Sequence, residues 1–241
     1  MNIVRCKNCE NEFTGKFCNY CGQAADTDRI NYKFVFVELK KTFIQFNSGF
    51  FYTLKGLILN PGKFIKEYIE GKRIKFTKPF AFLIIACGLD IVVYHYLNVN
   101  IINAEIQGLD KSVVNTFVAG HYAQIQILLL PIYACVSILL FKQKIYNFFE
   151  FIIIHCYLAG ERILINITLI PILAWLQDNV WAGKMVTYFS LFISYSLMIW
   201  AYTYLFKEKN TFAVIAKTIG VQLITAIIMG VLVFYFIEVV K

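Results

Sequence analysis

Pro79-Phe80-Ala81-Phe82-Leu83-Ile84-Ile85-Ala86-Cys87-Gly88-Leu89-Asp90-Ile91-Val92-Val93-Tyr94-His95-Tyr96-Leu97 contains one carboxylate and no lysine or arginine. As a helix this stretch is about 28 Å long, enough to cross the roughly 30 Å hydrocarbon core of a bilayer. Four further apolar blocks follow, at about 124–141, 148–174, 186–206 and 213–237. The fold read from them is an all-α membrane protein, with a five-span transmembrane helical bundle in residues 79–241. Composition agrees: the chain is 59% hydrophobic and 16% charged, where a soluble domain carries about 25% charged residues. The sequence does not open with a cationic stretch, an apolar core and a small-residue cleavage site, so no secretory signal peptide is expected.

Charge is unevenly spread. Residues 1–79 hold 14 Lys/Arg against 7 Asp/Glu, and residues 80–241 hold 9 against 8. The connections 142–147 and 207–210 carry two lysines each, while 98–123 and 175–185 carry one each, Lys111 and Lys184. Positive residues are retained on the cytosolic side. The N-terminus and the 142–147 and 207–210 loops are therefore expected in the cytosol and the C-terminus outside, with the basic half facing anionic lipid headgroups of the bilayer.

Residues 1–25 read as a small zinc ribbon. Cys6, Cys9, Cys18 and Cys21 form a C-x2-C-x8-C-x2-C pattern, two knuckles flanking a hairpin, which suits tetrahedral Zn²⁺. Gly15 marks the hairpin tip, Gly22 supplies a left-handed turn, and Phe13 and Phe17 are expected to cover the metal. Four thiolates leave no open position for a substrate, so the Zn²⁺ is structural and supplies most of the folding free energy of so small a unit. A disulfide pair or redox-active C-x2-C fits a reducing compartment poorly. Nucleic acid is disfavoured as a partner, because Arg5, Lys7 and Lys16 are offset by Glu10 and Glu12 and no basic-aromatic strip is present. Cys87, Cys135 and Cys156 lie singly in apolar blocks and read as inert thiols.

Residues 26–78 form a basic amphipathic connector. Phe34, Val37, Leu39, Phe43 and Ile44 alternate with Lys33, Lys40 and Lys41 from Tyr32 to Phe46, and a short apolar piece runs from Phe50 to Leu59. Both are too short to span, so interfacial helices in the headgroup plane are expected. Asn60 then caps a helix that opens on Pro61 and stops at Gly71, with Phe64, Ile65, Tyr68 and Ile69 on its apolar face. Lys72, Arg73, Lys75 and Lys78 follow directly. The plain reading is a helix stop with snorkelling cations. The sharper one is a lipid- or partner-binding site, with Lys72 and Arg73 on phosphate and Tyr68 at the interface. The ribbon, Pro61-Gly62, Tyr68, Gly71-Lys72-Arg73, Pro79 and the first span together resemble an uncharacterised family of bacterial multi-span membrane proteins, a domain of unknown function, over about residues 6–90. The five-span plan with a cytosolic N-terminal region also resembles the Yip-type membrane proteins of vesicle traffic. Neither likeness carries a catalytic residue.

Within the spans the candidate polar residues are Asp90, His155, Glu161, Arg162 and Gln222. Unpaired in lipid each is costly, so they are expected to face the bundle interior. Arg162 shares a helical stripe with His155 and Asn166, and Glu161 with Tyr157 and Thr168, so Arg162 can face Asp90, or Glu161 a tyrosine of the fourth span. Tyr188, Tyr195 and Tyr202 recur every seven residues there. Thr218, Gln222 and Thr225 share a face of the fifth span, with Gly220 and Gly230 offering close approach.

No HExxH, GxSxG or P-loop pattern occurs. The leading expectation is a non-enzymatic inner-membrane scaffold, assembly or accessory subunit. It would dock a membrane or cytosolic protein partner through its cytosolic zinc ribbon and basic juxtamembrane face. The alternatives are a small transporter or channel using the intramembrane polar residues, and a lipid-headgroup-active enzyme around Lys72, Arg73 and Lys75, which lacks a nucleophile or base.

Overall fold

Alternation between Cys6 and Phe13 is too short to make more than a minimal hairpin, and β1 (Val4–Arg5) pairs antiparallel with β2 (Glu12–Phe13) as Val4↔Phe13 and Arg5↔Glu12. All else is helical or connecting. The computed structural model describes residues 3–27, 29–42, 49–97, 111–142, 145–176, 179–206 and 210–240. Phe43, Ile44 and Phe46 of the expected connector helix, and parts of the four loops (98–110, 143–144, 177–178, 207–209), lie outside the described residues. So do the side chains of Lys40, Lys41, Tyr94 and Lys111.

Three short helices precede the long ones: α1 (Tyr32–Thr42), α2 (Phe50–Leu59) and α3 (Pro61–Ile69). The caps of α3 follow the sequence closely. Asn60 accepts a hydrogen bond from the Lys63 amide at 3.1 Å and Pro61 opens the first turn. At the other end Gly71 takes φ +110°. The Lys72 and Gly71 amides donate to the Glu67 and Tyr68 carbonyls at 3.0 and 3.1 Å, the paired bonds of a Schellman stop.

The long helices are α4 (Pro79–Leu97), α5 (Lys111–Phe141), α6 (Phe148–Trp175), α7 (Val180–Leu205) and α8 (Thr211–Val240). Pro79–Leu97, Trp181–Leu205 and Thr211–Leu232 are long and apolar enough to cross a membrane. α5 starts well before the expected residue 124. Its polar first turns escape a hydropathy window, yet they carry no proline, and 31 residues make a rod of about 46 Å. α6 is the central helix, packed against α4, α5 and α7. Phe151, Ile153, Ile154, Cys156, Tyr157 and Ile163 have no more than 1% of their surface exposed. A helix walled by protein on most sides can hold Glu150, Glu161 and Arg162 where a lipid-facing one could not.

The connector departs from a layer lying in the headgroup plane. α1 packs on α4, α2 on α3 and α6, and α3 on α6 and α7. Phe64, Ile65 and Tyr68 are buried in the same core as Phe76, Phe82 and Tyr157. Tyr68 was the residue assigned to the interface, and it is 1% exposed. The apolar face of α3 is wide enough to need a protein partner, and α6 and α7 supply one. Phe51, Ile58 and Leu59 of α2 are exposed. The entry to α4 is pinned from both sides: the Thr77 amide donates to Thr53 Oγ1 at 2.8 Å, and Tyr157 OH donates to the Thr77 carbonyl at 2.7 Å.

Candidate functional site

The four cysteines converge. Their Sγ atoms all lie within 4.8 Å of one another, with Cys6–Cys21 at 3.5 Å and Cys9–Cys18 at 3.6 Å. A tetrahedral Zn–S₄ centre with bonds near 2.3 Å has sulfur–sulfur edges of about 3.8 Å. The cluster is therefore close enough to bind a metal ion, and its donor set fits a closed structural site. The two knuckles are built alike. Glu10 and Gly22 each follow the second cysteine of a pair with φ of +63° and +76°. Their amides donate to the carbonyls of Cys6 and Cys18 at 2.8 and 2.9 Å. Around Cys18, burial opposes ionisation, but the amides of Cys21 and Tyr20 and the neighbouring thiols outweigh it and hold the thiol down at about 6. The Gln23 amide lowers Cys21 in the same way. At Cys9 the Asn11 amide favours the thiolate, but burial and the Cys21, Cys18 and Cys6 thiols push the group up to about 12, so the four thiols ionise unequally. Phe13 is buried beside Cys6 and Cys18, as expected. Phe17 is not: it is 64% exposed, and Tyr20 is 81% exposed. Phe17 lies past the hairpin tip, bridged to Ala24.

The ribbon is fastened to the bundle by the residue that follows its second knuckle. Gln23 is 3% exposed; its Nε2 donates to the Gly71 carbonyl at 2.9 Å and its Oε1 accepts from the Arg73 amide at 3.0 Å. One primary amide thus satisfies both sides of the Gly71–Arg73 corner. A Cβ on Gly71 would lie 2.7 Å from Lys7 Cδ, so the close approach and the left-handed φ both require glycine. A second fastening follows. Arg29 makes a bidentate pair with Glu150 at 2.8 and 2.9 Å and donates to the Ile145 carbonyl at 2.8 Å. Asn147, which caps α6 reciprocally with Glu150, donates to the Ile30 carbonyl at 2.9 Å. No local pattern announces contacts between residues this far apart in the chain.

The basic corner is only partly the cluster expected. Lys72 pairs with Glu67 at 3.1 Å and Lys75 is exposed. The Arg73 guanidinium lies 4.4 Å from the Phe34 ring centroid and 5.5 Å from that of Tyr68. Tyr68 OH donates to Glu38 Oε1 at 2.7 Å. Burial pushes the Glu38 carboxyl up to about 7, against the Tyr68 hydrogen bond and the charges of Lys78 and Arg73. Burial and the nearby Glu38 charge drive the Tyr68 phenol well above its ordinary range. These groups line a cleft of about 470 Å³ between the segment trailing the ribbon, α1 and the 73–78 corner, and Lys78 and Arg29 border it as well.

The polar residues within the long helices divide. His155 Nε2, Ser137 Oγ and Tyr202 OH form a buried triangle at 2.8–3.1 Å, with Tyr133 stacked on the imidazole. Arg162 donates to Gln126 of α5, not to Asp90. Ser190 donates to Asn166, and Gln222 reaches the Tyr195 carbonyl at 3.4 Å. His155, Arg162 and Gln222 border a cavity of about 30 Å³, room for about one water. Asp90 is buried but does not line it. Both carboxylate oxygens of Glu161 are buried with no hydrogen-bond partner among the described residues. Of the tyrosine repeat, Tyr202 faces inward while Tyr188 and Tyr195 are exposed. Thr218, Gln222 and Thr225 are buried together and Gly220 approaches Leu140, whereas a Cβ on Gly230 would meet nothing within 4 Å.

A family model described as protein of unknown function (DUF3667) matches residues 47–89, which contain α2, α3, the Gly71–Arg73 corner and the first half of α4. No curated protein and no solved structure matches the chain.

Proposed function

We propose that this chain is a non-enzymatic, five-span protein of a bacterial inner membrane that serves as a scaffold, assembly factor or accessory subunit. Its zinc-loaded ribbon and basic corner would lie in the cytosol, where they dock a protein partner. The observation that carries the proposal is the Gln23 fastening, which holds the ribbon in one orientation against the Gly71–Arg73 corner. So fixed, the ribbon turns Phe17 and Tyr20 outward beside the basic connector, the mix of rigid aromatics and cations that protein interfaces favour. A closed four-thiolate centre supports a structural role for the metal. The lysine asymmetry supports the cytosolic placement.

Co-purification from native membranes tests the proposal. Cys6→Ser or Cys18→Ser should abolish recovery of the partner while leaving membrane insertion intact. Gln23→Ala should keep the metal but reduce recovery, since it frees the ribbon's orientation at a cost of about 2 kcal/mol. Repeated recovery of the unmodified protein alone would overturn it.

A small transporter or channel has one observation in its favour, the buried and unmatched carboxylate of Glu161. Liposome flux that falls on Glu161→Gln would support it over the scaffold.

A further inference from the structure

The cleft beside the Gly71–Arg73 corner has a lopsided chemistry. Arg29, Lys33, Arg73 and Lys78 line it against only Asp26 and Glu38. Arg29 is balanced by Glu150, yet the remaining lining is still basic on balance. Arg73 is set in place by the Phe34 and Tyr68 rings and by its Nε bond to the Tyr68 carbonyl at 3.4 Å. A guanidinium held in this way suits a phosphate's oxygens without further ordering. A volume of about 470 Å³ falls in the range of small-molecule sites.

The surroundings of the cleft separate a lipid from a soluble anion. Phe34, Val37 and Phe76 form its apolar wall. Along α1, Tyr32, Phe36 and Val37 are 53%, 62% and 49% exposed. α4, one of the helices able to cross a membrane, begins at the residue after Lys78. Cations inside, apolar side chains at the rim and a spanning helix next door make a place for an amphiphile.

We propose that the cleft bounded by Lys33, Arg73 and Lys78 binds the phosphate headgroup of an anionic membrane lipid, whose acyl chains run over the exposed apolar side of α1. The site needs the head docked on the bundle but no protein partner, so it stands or falls apart from the scaffold proposal.

The test uses the full chain, delipidated in a neutral detergent with zinc saturated. Phosphatidylglycerol, phosphatidylcholine and inorganic phosphate are added separately, with bound lipid counted by native mass spectrometry and the shift in Tm recorded. Phosphatidylglycerol should bind and raise Tm, and phosphatidylcholine should do neither. Lys33→Gln/Lys78→Gln should weaken phosphatidylglycerol binding at least roughly tenfold, whereas Lys63→Gln/Lys75→Gln, outside the cleft, should change it less than about twofold. If the double cleft variant folds poorly, Lys33→Gln alone, on the exposed side of α1, should still cost about fivefold. Equal losses in the two double variants, or equal binding of phosphatidylcholine, would overturn the site. A Tm shift with inorganic phosphate that matches and displaces phosphatidylglycerol would overturn the lipid assignment.

Discussion

Glu38 is the residue whose environment and chemistry disagree most. It is 6% exposed, accepts a hydrogen bond from Tyr68, and has a carboxyl pushed by burial up to about 7 from an ordinary 4.5. A carboxyl that holds its proton more tightly folded than unfolded favours the folded state below about pH 4.5, and that advantage is lost as pH climbs through 7. The loss is at most about 3 kcal/mol. Thermal melts of the zinc-saturated protein should therefore show Tm declining between pH 5.5 and 8, with a shallower decline for Glu38→Gln over the same range. Parallel curves for the two proteins would count against the assignment. Glu38 also shows why this site was hard to read in the sequence. As one acid among the lysines of an amphipathic helix it looks like a solvated surface charge, and only α3, which turns Tyr68 back onto it, reveals otherwise.

Among the elements, α6 packs closely on α4. A Cβ on Gly160 would sit 2.7 Å from Phe82 Cδ1 and 3.5 Å from the Leu83 Cα, so α4 and α6 meet at a backbone-close crossing. Gly160→Ala should destabilise the bundle by about 1–3 kcal/mol through overpacking. Gly88→Ala, on α4 with nothing within 4 Å of the new carbon, should instead stabilise it by up to about 1 kcal/mol. Opposite shifts in Tm in the same detergent would verify both. Helix positions were largely legible in the sequence where local chemistry sets them: Asn60, Pro61 and Gly71 bound α3 as their residue types require, and the apolar block near 148 begins where Asn147 and Glu150 cap α6. What was not legible depends on distant residues. Hydropathy hides the first turns of α5, and the burial of α3 depends on α6 and α7, which the α3 sequence does not mention.

Over the whole molecule, the cysteine cluster and the helical bundle are separate cores joined by polar contacts such as those of Gln23 and Arg29. The ribbon has a core of three buried residues, Cys6, Phe13 and Cys18, too little to fold without its ion. A strong zinc chelator should therefore open the head without melting the helices. Far-UV circular dichroism should change little, while proteolysis should become rapid within residues 3–27 and stay slow in α4–α8. Loss of helicity in step with metal release would show that the two are one cooperative unit. The spacing of the cysteines made the cluster readable in advance; the docking of the cluster was not, because Gln23 meets its partners 48 and 50 residues away.

The Arg29–Glu150 brace has a consequence for biogenesis. The two residues are 121 apart, and translation at about 5–20 residues per second puts roughly 6–24 s between their synthesis. The Gln23 contact with the Gly71–Arg73 corner can form during that wait, yet the second fastening has no partner until α4 and α5 have been made and the start of α6 has emerged. Closure of the brace is then a late event, and a nascent chain stalled before Glu150 carries a head held through Gln23 alone.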